Sequence, residues 1–255
     1  MSKIHLLYDG NPLFGIWKPP GTATQAPAPF PSLETQMKDW LREREQKTGN
    51  VYLGVPHRLD RPVSGVIVFT RHERAARSVS RQFERRTVKK LYWTVVEGLV
   101  SPAEGTWTDH LRKIYGRPQT EVVRPDAPGA QVAVLRYRKL GTTTTREGRP
   151  ATWLEIELET GRTHQIRIQA SSRGHAVLGD SSYGATTTFG PQGVDPRERH
   201  IALHARFLGL RQPKTQDPVD LTAPLPQSWR ELSLPVAATD YFEVPSDEPR
   251  GSPGT

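Results

Sequence analysis

The residues best suited to chemistry lie in one stretch, His57-Arg58-Leu59-Asp60-Arg61-Pro62-Val63-Ser64-Gly65. It sets a carboxylate between two arginines, close to a histidine. An ionised aspartate acts as a nucleophile or a base. A guanidinium beside it would hold it in that form at neutral pH. Arg162, within Thr160-Gly161-Arg162-Thr163-His164-Gln165-Ile166-Arg167, is the partner assigned here to Asp60, although spacing alone does not bring the two together. The competing reading is a surface ion pair of Asp60 with Arg58 or Arg61, and such pairs are worth about 0–1 kcal/mol. Other chemistries have less support. The chain has no cysteine, which removes disulfides, thiolate metal sites and thiol nucleophiles. His200 and His204 have a metal-ligand spacing only if helical, and that segment reads as strand with no third ligand in view. Neither a serine-nucleophile elbow nor a phosphate-binding glycine loop is present.

The elements around these residues must hold them. Val66-Ile67-Val68-Phe69 predicts a buried strand directly after the motif, with Pro62 and Gly65 keeping Asp60 on an irregular turn. A strand is expected over 13–17, ended by Lys18-Pro19-Pro20-Gly21. Ser32 is the expected N-cap of a helix whose inner face is Leu33, Met37, Trp40 and Leu41, with Gly49 as its stop. A short strand over 51–55 leads into the motif. A second helix over 73–86 buries Ala75, Ala76, Val79 and Phe83. Strands are expected over 91–98, 120–124, 131–138, 152–158 and 201–211, with a loop over 141–149. Leu154, Ile156 and Leu158 should share a face. A helix over 164–173, capped by Thr163 and ended by Gly174, would leave Arg162 on the strand-to-helix turn. The segment 174–184 reads as a compact loop, and the tail over 244–255 as disordered. The class expected is α+β, with a mixed, largely antiparallel sheet flanked by helices and loops.

The formal net charge is +8, which points to a polyanionic partner, nucleic acid first. The positive residues concentrate at Arg74, Arg77, Arg81, Arg85, Arg86, Lys89 and Lys90, with only Glu73 and Glu84 opposing them. These are the candidates for contact with an RNA backbone, against the alternative of a solvated helix face. No apolar run is long enough to span a membrane, and the N-terminal residues do not resemble a signal peptide. A cytoplasmic protein is expected.

These motifs together resemble the RluA family of pseudouridine synthases. His57-Arg58-Leu59-Asp60 followed by Ser64-Gly65 is similar to the family signature. Lys18-Pro19-Pro20-Gly21, Lys90-Leu91-Tyr92 with Glu97-Gly98, and Gly161-Arg162-Thr163-His164-Gln165-Ile166-Arg167 resemble further family segments. Gly179-Asp180 with Tyr183-Gly184, then Leu203-His204-Ala205, follow in family order. The resemblance implies conversion of uridine within tRNA or rRNA to pseudouridine, with no cofactor and no metal. One catalytic domain over 1–243 is expected, without the separate N-terminal RNA-binding domain that many members of the family carry, because the family pattern begins within the first twenty residues; no obligate protein partner is evident, and a monomer is expected. The resemblance makes Asp60 the catalytic aspartate and Arg162 its ion-pair partner. It has Tyr92 stack on the target uracil and assist removal of the C5 proton. Arg58 would enter the RNA stack where the uridine leaves it, since a base inside a helix cannot reach the carboxylate. Ile166 would pack the pocket, and His57 and Lys18 join the substrate-binding group. For Lys18 the alternative is a strand cap; for His57 and His164 it is structural hydrogen bonding; Asp180 reads as a turn-former. Two positions depart from the family pattern, Val63 for Thr and Gln169 for His, and both are expected to affect RNA placement more than activity. A non-catalytic RNA-binding protein and a carboxylate-dependent hydrolase are the competing functions, the latter lacking an evident second acid.

Overall fold

The computed structural model describes residues 4–192, 195 and 199–242. The expected tail over 244–255 lies outside them. The most buried strand pair comes first. β2 (Leu13–Lys18) and β3 (Ser64–Thr70) are buried at every position and pair antiparallel from Leu13↔Thr70 to Lys18↔Gly65. Continuous apolar runs of this kind suit strands covered on both faces. β1 (Leu6–Gly10) lies outside β2 as an edge hairpin.

The remaining strands are β4 (Lys89–Glu97), β5 (Glu104–Lys113), β6 (Thr120–Val123), β7 (Gln131–Thr144), β8 (Pro150–Leu158), β9 (Leu203–Arg211) and β10 (Pro218–Thr222). They join the first three in one sheet, ordered β1-β2-β3-β9-β4-β8-β7-β5-β6, with β10 against β9. Among the strands of the described residues, only β3 and β9 pair in parallel. The α+β class with a mixed, largely antiparallel sheet is what the chain adopts.

Among the described residues, three α-helices pack on this sheet. α1 (Leu33–Arg44) starts at Ser32, whose side chain accepts from the Thr35 amide while Thr35 reaches back to the Ser32 amide, a reciprocal cap. Leu33, Met37 and Leu41 are buried. α1 ends at Arg44, before the expected stop at Gly49. α2 (Glu73–Glu84) buries Ala75 and Val79 and is capped by His72, whose Nδ1 accepts from the Ala75 amide. α3 (Gln165–Ser171) is shorter than expected, and His164, not Thr163, is its N-cap residue. The strand expected over 51–55 reduces to one bridge, Gly54 with Thr70. The loop expected over 141–149 begins later, because β7 stays paired with β8 as far as Thr144↔Pro150.

β3 and β9 meet over two residue pairs, Ser64↔His204 and Gly65↔Ala205. Gly65 has φ +122°, and a Cβ there would lie 2.3 Å from the Ala205 carbonyl oxygen and 2.5 Å from its nitrogen. Only glycine permits that approach. Beside it, Ser64 Oγ lies 2.8 Å from His204 Nδ1, and His204 Nε2 lies 3.1 Å from the Ala223 carbonyl. The carbonyl can only accept, so Nε2 carries the hydrogen and Nδ1 accepts from Ser64. Burial pushes the His204 pKa down to about 3, so the ring is neutral at ordinary pH. With both ring nitrogens engaged, His204 is not free to bind a metal. No group of three or more His, Cys, Asp or Glu able to hold one occurs among the described residues. No helix among them is long and apolar enough to cross a membrane.

Candidate active site

Asp60 sits on a tight turn in which the Val63 amide donates to its carbonyl at 3.1 Å. The turn is fastened from both sides by residues 18–24. Thr24 Oγ1 donates to the Leu59 carbonyl at 2.9 Å and accepts from the Leu59 amide at 3.1 Å. The Gly21 amide and Lys18 Nζ both donate to the Arg61 carbonyl, at 2.9 and 3.1 Å. Lys18 also donates to the carbonyls of Pro19 and Thr22. Three carbonyl acceptors match the three hydrogens of an ammonium. Burial lowers the Lys18 pKa to about 7, against the opposing pull of Asp60's charge. Its side chain is fully buried, so Lys18 braces the Asp60 turn from beneath, the structural alternative to its place among the substrate-binding residues.

The partner of Asp60 is Arg167, not Arg162. Arg167 Nη1 donates to Asp60 Oδ2 at 3.2 Å. Its Nε and Nη2 donate to Asp180 Oδ2 and Oδ1 at 2.6 and 2.8 Å. Arg167 points inward from the first turn of α3 and is 5% exposed; Asp180 is 1% exposed. Arg162 precedes the helix, and its Nε turns away to the Val132 carbonyl of β7 at 2.9 Å. Asp180 is therefore no simple turn-former: it anchors the arginine. Burial alone would lower the Arg167 pKa, but the two carboxylates raise it above its usual value, so the guanidinium stays charged. Neither Arg58 nor Arg61 pairs with Asp60. Arg58 is exposed at the cleft edge and makes no hydrogen bond or ion pair among the described residues. Asp60 is aimed, which a surface ion pair would not explain.

The turn forms one wall of a cleft of about 480 Å³. Val63, Val66, Ile166, Leu203, Ala205 and Leu208 give it an apolar lining, and Tyr92, Arg162 and His164 also face it. The volume and mixed lining fit a small-molecule-sized group such as a single base. Tyr92 lies on β4, where the register with β9 slips by one residue between Leu91 and Tyr92; such bulges re-aim side chains near sites. Burial, and then the charge of Asp60, raise the Tyr92 pKa well above the usual tyrosine value. At neutral pH Tyr92 is a phenol and not a base, which favours stacking over the proton-removing role in its assignment. His57 is partly buried: its Nε2 accepts from the Val68 amide at 3.0 Å, and its ring stacks on Phe83 with centroids 4.6 Å apart. Burial lowers its pKa to about 3. His57 thus braces the strand below the turn, although it lines the cleft.

The basic segment divides. Arg86 and Lys90 face the cleft. Arg74, Arg77 and Arg81 line a separate groove with Pro12 and Lys214, and Arg81 and Arg85 line another with Arg211. Arg77 is also paired with Glu73. Lys89 lies over the Phe207 ring at 5.9 Å. Of the two departures, Val63 faces the cleft. Gln169 does not: it is buried, and its Nε2 donates to Asp109 Oδ2 at 2.7 Å and to the Trp107 carbonyl at 3.2 Å. It ties α3 to β5 and has no direct route to RNA. The residues that sequence reasoning missed are Arg167, Asp180 and Tyr183, all inside quoted segments. The signal was the inward phase of Arg167 on a helix that begins one residue after His164.

The family model for RNA pseudouridylate synthases matches residues 13–172. An uncharacterized RNA pseudouridine synthase of Bacillus subtilis is 30% identical over 91% of this chain and 72% of its own length. Another uncharacterized member, from Synechocystis, is 33% identical over 70% of this chain, which spans only 52% of that protein. The tRNA pseudouridine synthase C of Haemophilus ducreyi is 29% identical, over 90% of this chain and 94% of that protein. Among solved structures, human RNA pseudouridylate synthase domain containing 4 shares the fold, with a TM-score of 0.71 at 23% identity over 90% of this chain and 93% of that one. The chain belongs to the RluA-type family of RNA pseudouridine synthases, which are isomerases.

Proposed function

We propose that the Asp60 cleft converts uridine in structured RNA to pseudouridine. In this reading the N1–C1′ bond of the target nucleotide breaks, the uracil turns, and a C5–C1′ bond forms. N1 gains a proton and the C5 proton leaves to solvent, so the reaction is an isomerisation that needs no cofactor. The observation that carries the proposal is the Asp60 carboxylate, held through Oδ2 by the buried Arg167 while Oδ1 accepts nothing among the described residues. It faces a cleft edged by Arg58, Arg86 and Lys90. Asp60 acts on the ribose or the uracil ring, Tyr92 stacks on the uracil, and Ile166 helps exclude water from the intermediate. Arg58, exposed and unpaired among the described residues, fills the space of the flipped nucleotide; flipping costs a few kcal/mol. The tRNA synthase relative supports tRNA as substrate, with rRNA the alternative. The protein would act in the cytoplasm as a monomer.

Tritium release tests this. RNA carrying uridine tritiated at C5 should lose label to water in the presence of the protein. Folded protein that releases none from total tRNA or rRNA would refute the activity.

A further inference from the structure

His164 has an unexplained conformation. Its φ is +53°, a left-handed backbone that a non-glycine residue holds only at a cost of about 1–3 kcal/mol. It stands at the N-cap of α3 but makes no side-chain cap. Its ring is used elsewhere. Nδ1 lies 2.8 Å from Tyr183 Oη, and Nε2 lies 3.5 Å from Asp60 Oδ2.

The hydrogen positions follow from the partners. Tyr183 Oη already accepts from the Thr120 amide at 2.8 Å. Its own hydrogen has His164 Nδ1 as its acceptor among the described residues, so Nδ1 accepts. A neutral ring then carries its hydrogen on Nε2, facing the carboxylate; the other tautomer would turn a lone pair toward a negative charge. The same tyrosine supports the other donor to Asp60. Its ring lies under the Arg167 guanidinium, 4.9 Å from ring centre to Cζ. Asp180, three residues earlier, holds that guanidinium in two hydrogen bonds. Both groups directed at Asp60 Oδ2 are thus set by residues 180–183.

We infer that Tyr183 and His164 are positioning residues for Asp60, with the Tyr183 hydroxyl fixing the His164 Nε2–H tautomer and that N–H helping to orient the carboxylate so that Oδ1 is left for the substrate. The inference rests on the proposed activity for its catalytic consequence but not for its hydrogen-bond pattern. The charged and titratable groups facing His164 are Asp60, Arg167, Asp180, Lys113 and Tyr183. Burial lowers the His164 pKa, Asp60 opposing, in keeping with a neutral ring.

Two measurements on the full chain test it. The first is nitrogen-15 NMR of histidine-labelled protein without RNA at pH 7, with His164 assigned by its loss in His164→Gln. A bare Nδ1 and a protonated Nε2 are expected, and Tyr183→Phe should abolish that preference. A protonated Nδ1, or an imidazolium, overturns the inference. The second is isomerisation kinetics. His164→Ala and Tyr183→Phe should lower kcat by between about 10- and 100-fold, as misplacement of a reacting group does, with KM for RNA unchanged. His164→Gln, whose amide can still donate, should recover part of the loss. His164→Ala with wild-type kcat overturns the inference. A wild-type protein inactive on every RNA would defeat the functional reading instead, and the NMR result would still decide the tautomer.

Discussion

Arg167 donates from three nitrogens to two carboxylates, one of them fully buried. Removing one member of such a network leaves a desolvated charge unpaired, at a cost of about 3–5 kcal/mol. Arg167→Met should therefore lower both stability and kcat, and Arg167→Lys should rescue only part, since a point charge cannot replace the fork. Arg162→Met should leave kcat near wild type and act mainly on KM, because Arg162 lines the cleft but bonds to β7. Kinetics with thermal melts would show this; an Arg162→Met as impaired in kcat as Arg167→Met would contradict it. Asp60 was legible in the sequence only through the company of the other motifs, since its turn read alone favours a surface ion pair. Its partner was not. Two arginines lie five residues apart in one segment, and only the helix start at Gln165 decides which turns inward. Lys18 and His57 were open to two readings for a related reason: polar side chains in motif segments suit substrate contact or structural bonding alike, and here both bond to backbone groups under the turn.

At the level of elements, the β3–β9 junction supports the site. Ser64 and Gly65 follow Asp60 closely and attach its turn to the centre of the sheet. Gly65→Ala should destabilise the protein by more than the roughly 1 kcal/mol typical of a point mutation, because φ is +122° and the new methyl would meet backbone, not a mobile side chain. A thermal melt matching wild type would refute this account of the motif glycine. The sequence patterns that located β2, β3, β4, β8 and β9 were dense in apolar or β-branched residues. β5 escaped because only Trp107 and Leu111 among its residues are buried, four apart, so its alternation is hidden by partly exposed neighbours. β1 and β10 are short flanking strands, and β7 outruns its apolar half through threonines paired to β8. α2 was clear from its inward residues, but the helix ends at Glu84, and Arg86 turns into a left-handed backbone (φ +58°) at the cleft.

For the molecule as a whole, acid stability is set in part by His204, whose pKa falls from the ordinary value to about 3 on folding. The unfolded chain takes up this proton near pH 6.5 and the native chain only near pH 3, so stability present above pH 6.5 is lost as the pH falls through that window. The slope from one such group is about 1.4 kcal/mol per pH unit. Chemical denaturation at pH 6 and pH 4 should show a shallower fall in His204→Gln than in wild type; equal slopes would contradict a buried neutral ring. Function depends on the same architecture. A central sheet holds the Asp60 turn beside a cleft of a size to take a single base, and positive residues lie both at that cleft and along the outer grooves of α2. The central claim is that Asp60 performs the isomerisation. Tritium release from C5-labelled uridine in RNA, measured beside RNA affinity for wild type and Asp60→Asn, tests it most directly. The account predicts release by wild type, a loss of at least about 100-fold in the variant, the lower range for removing an acid–base group, and RNA binding retained. An Asp60→Asn protein that releases tritium at the wild-type rate would contradict it.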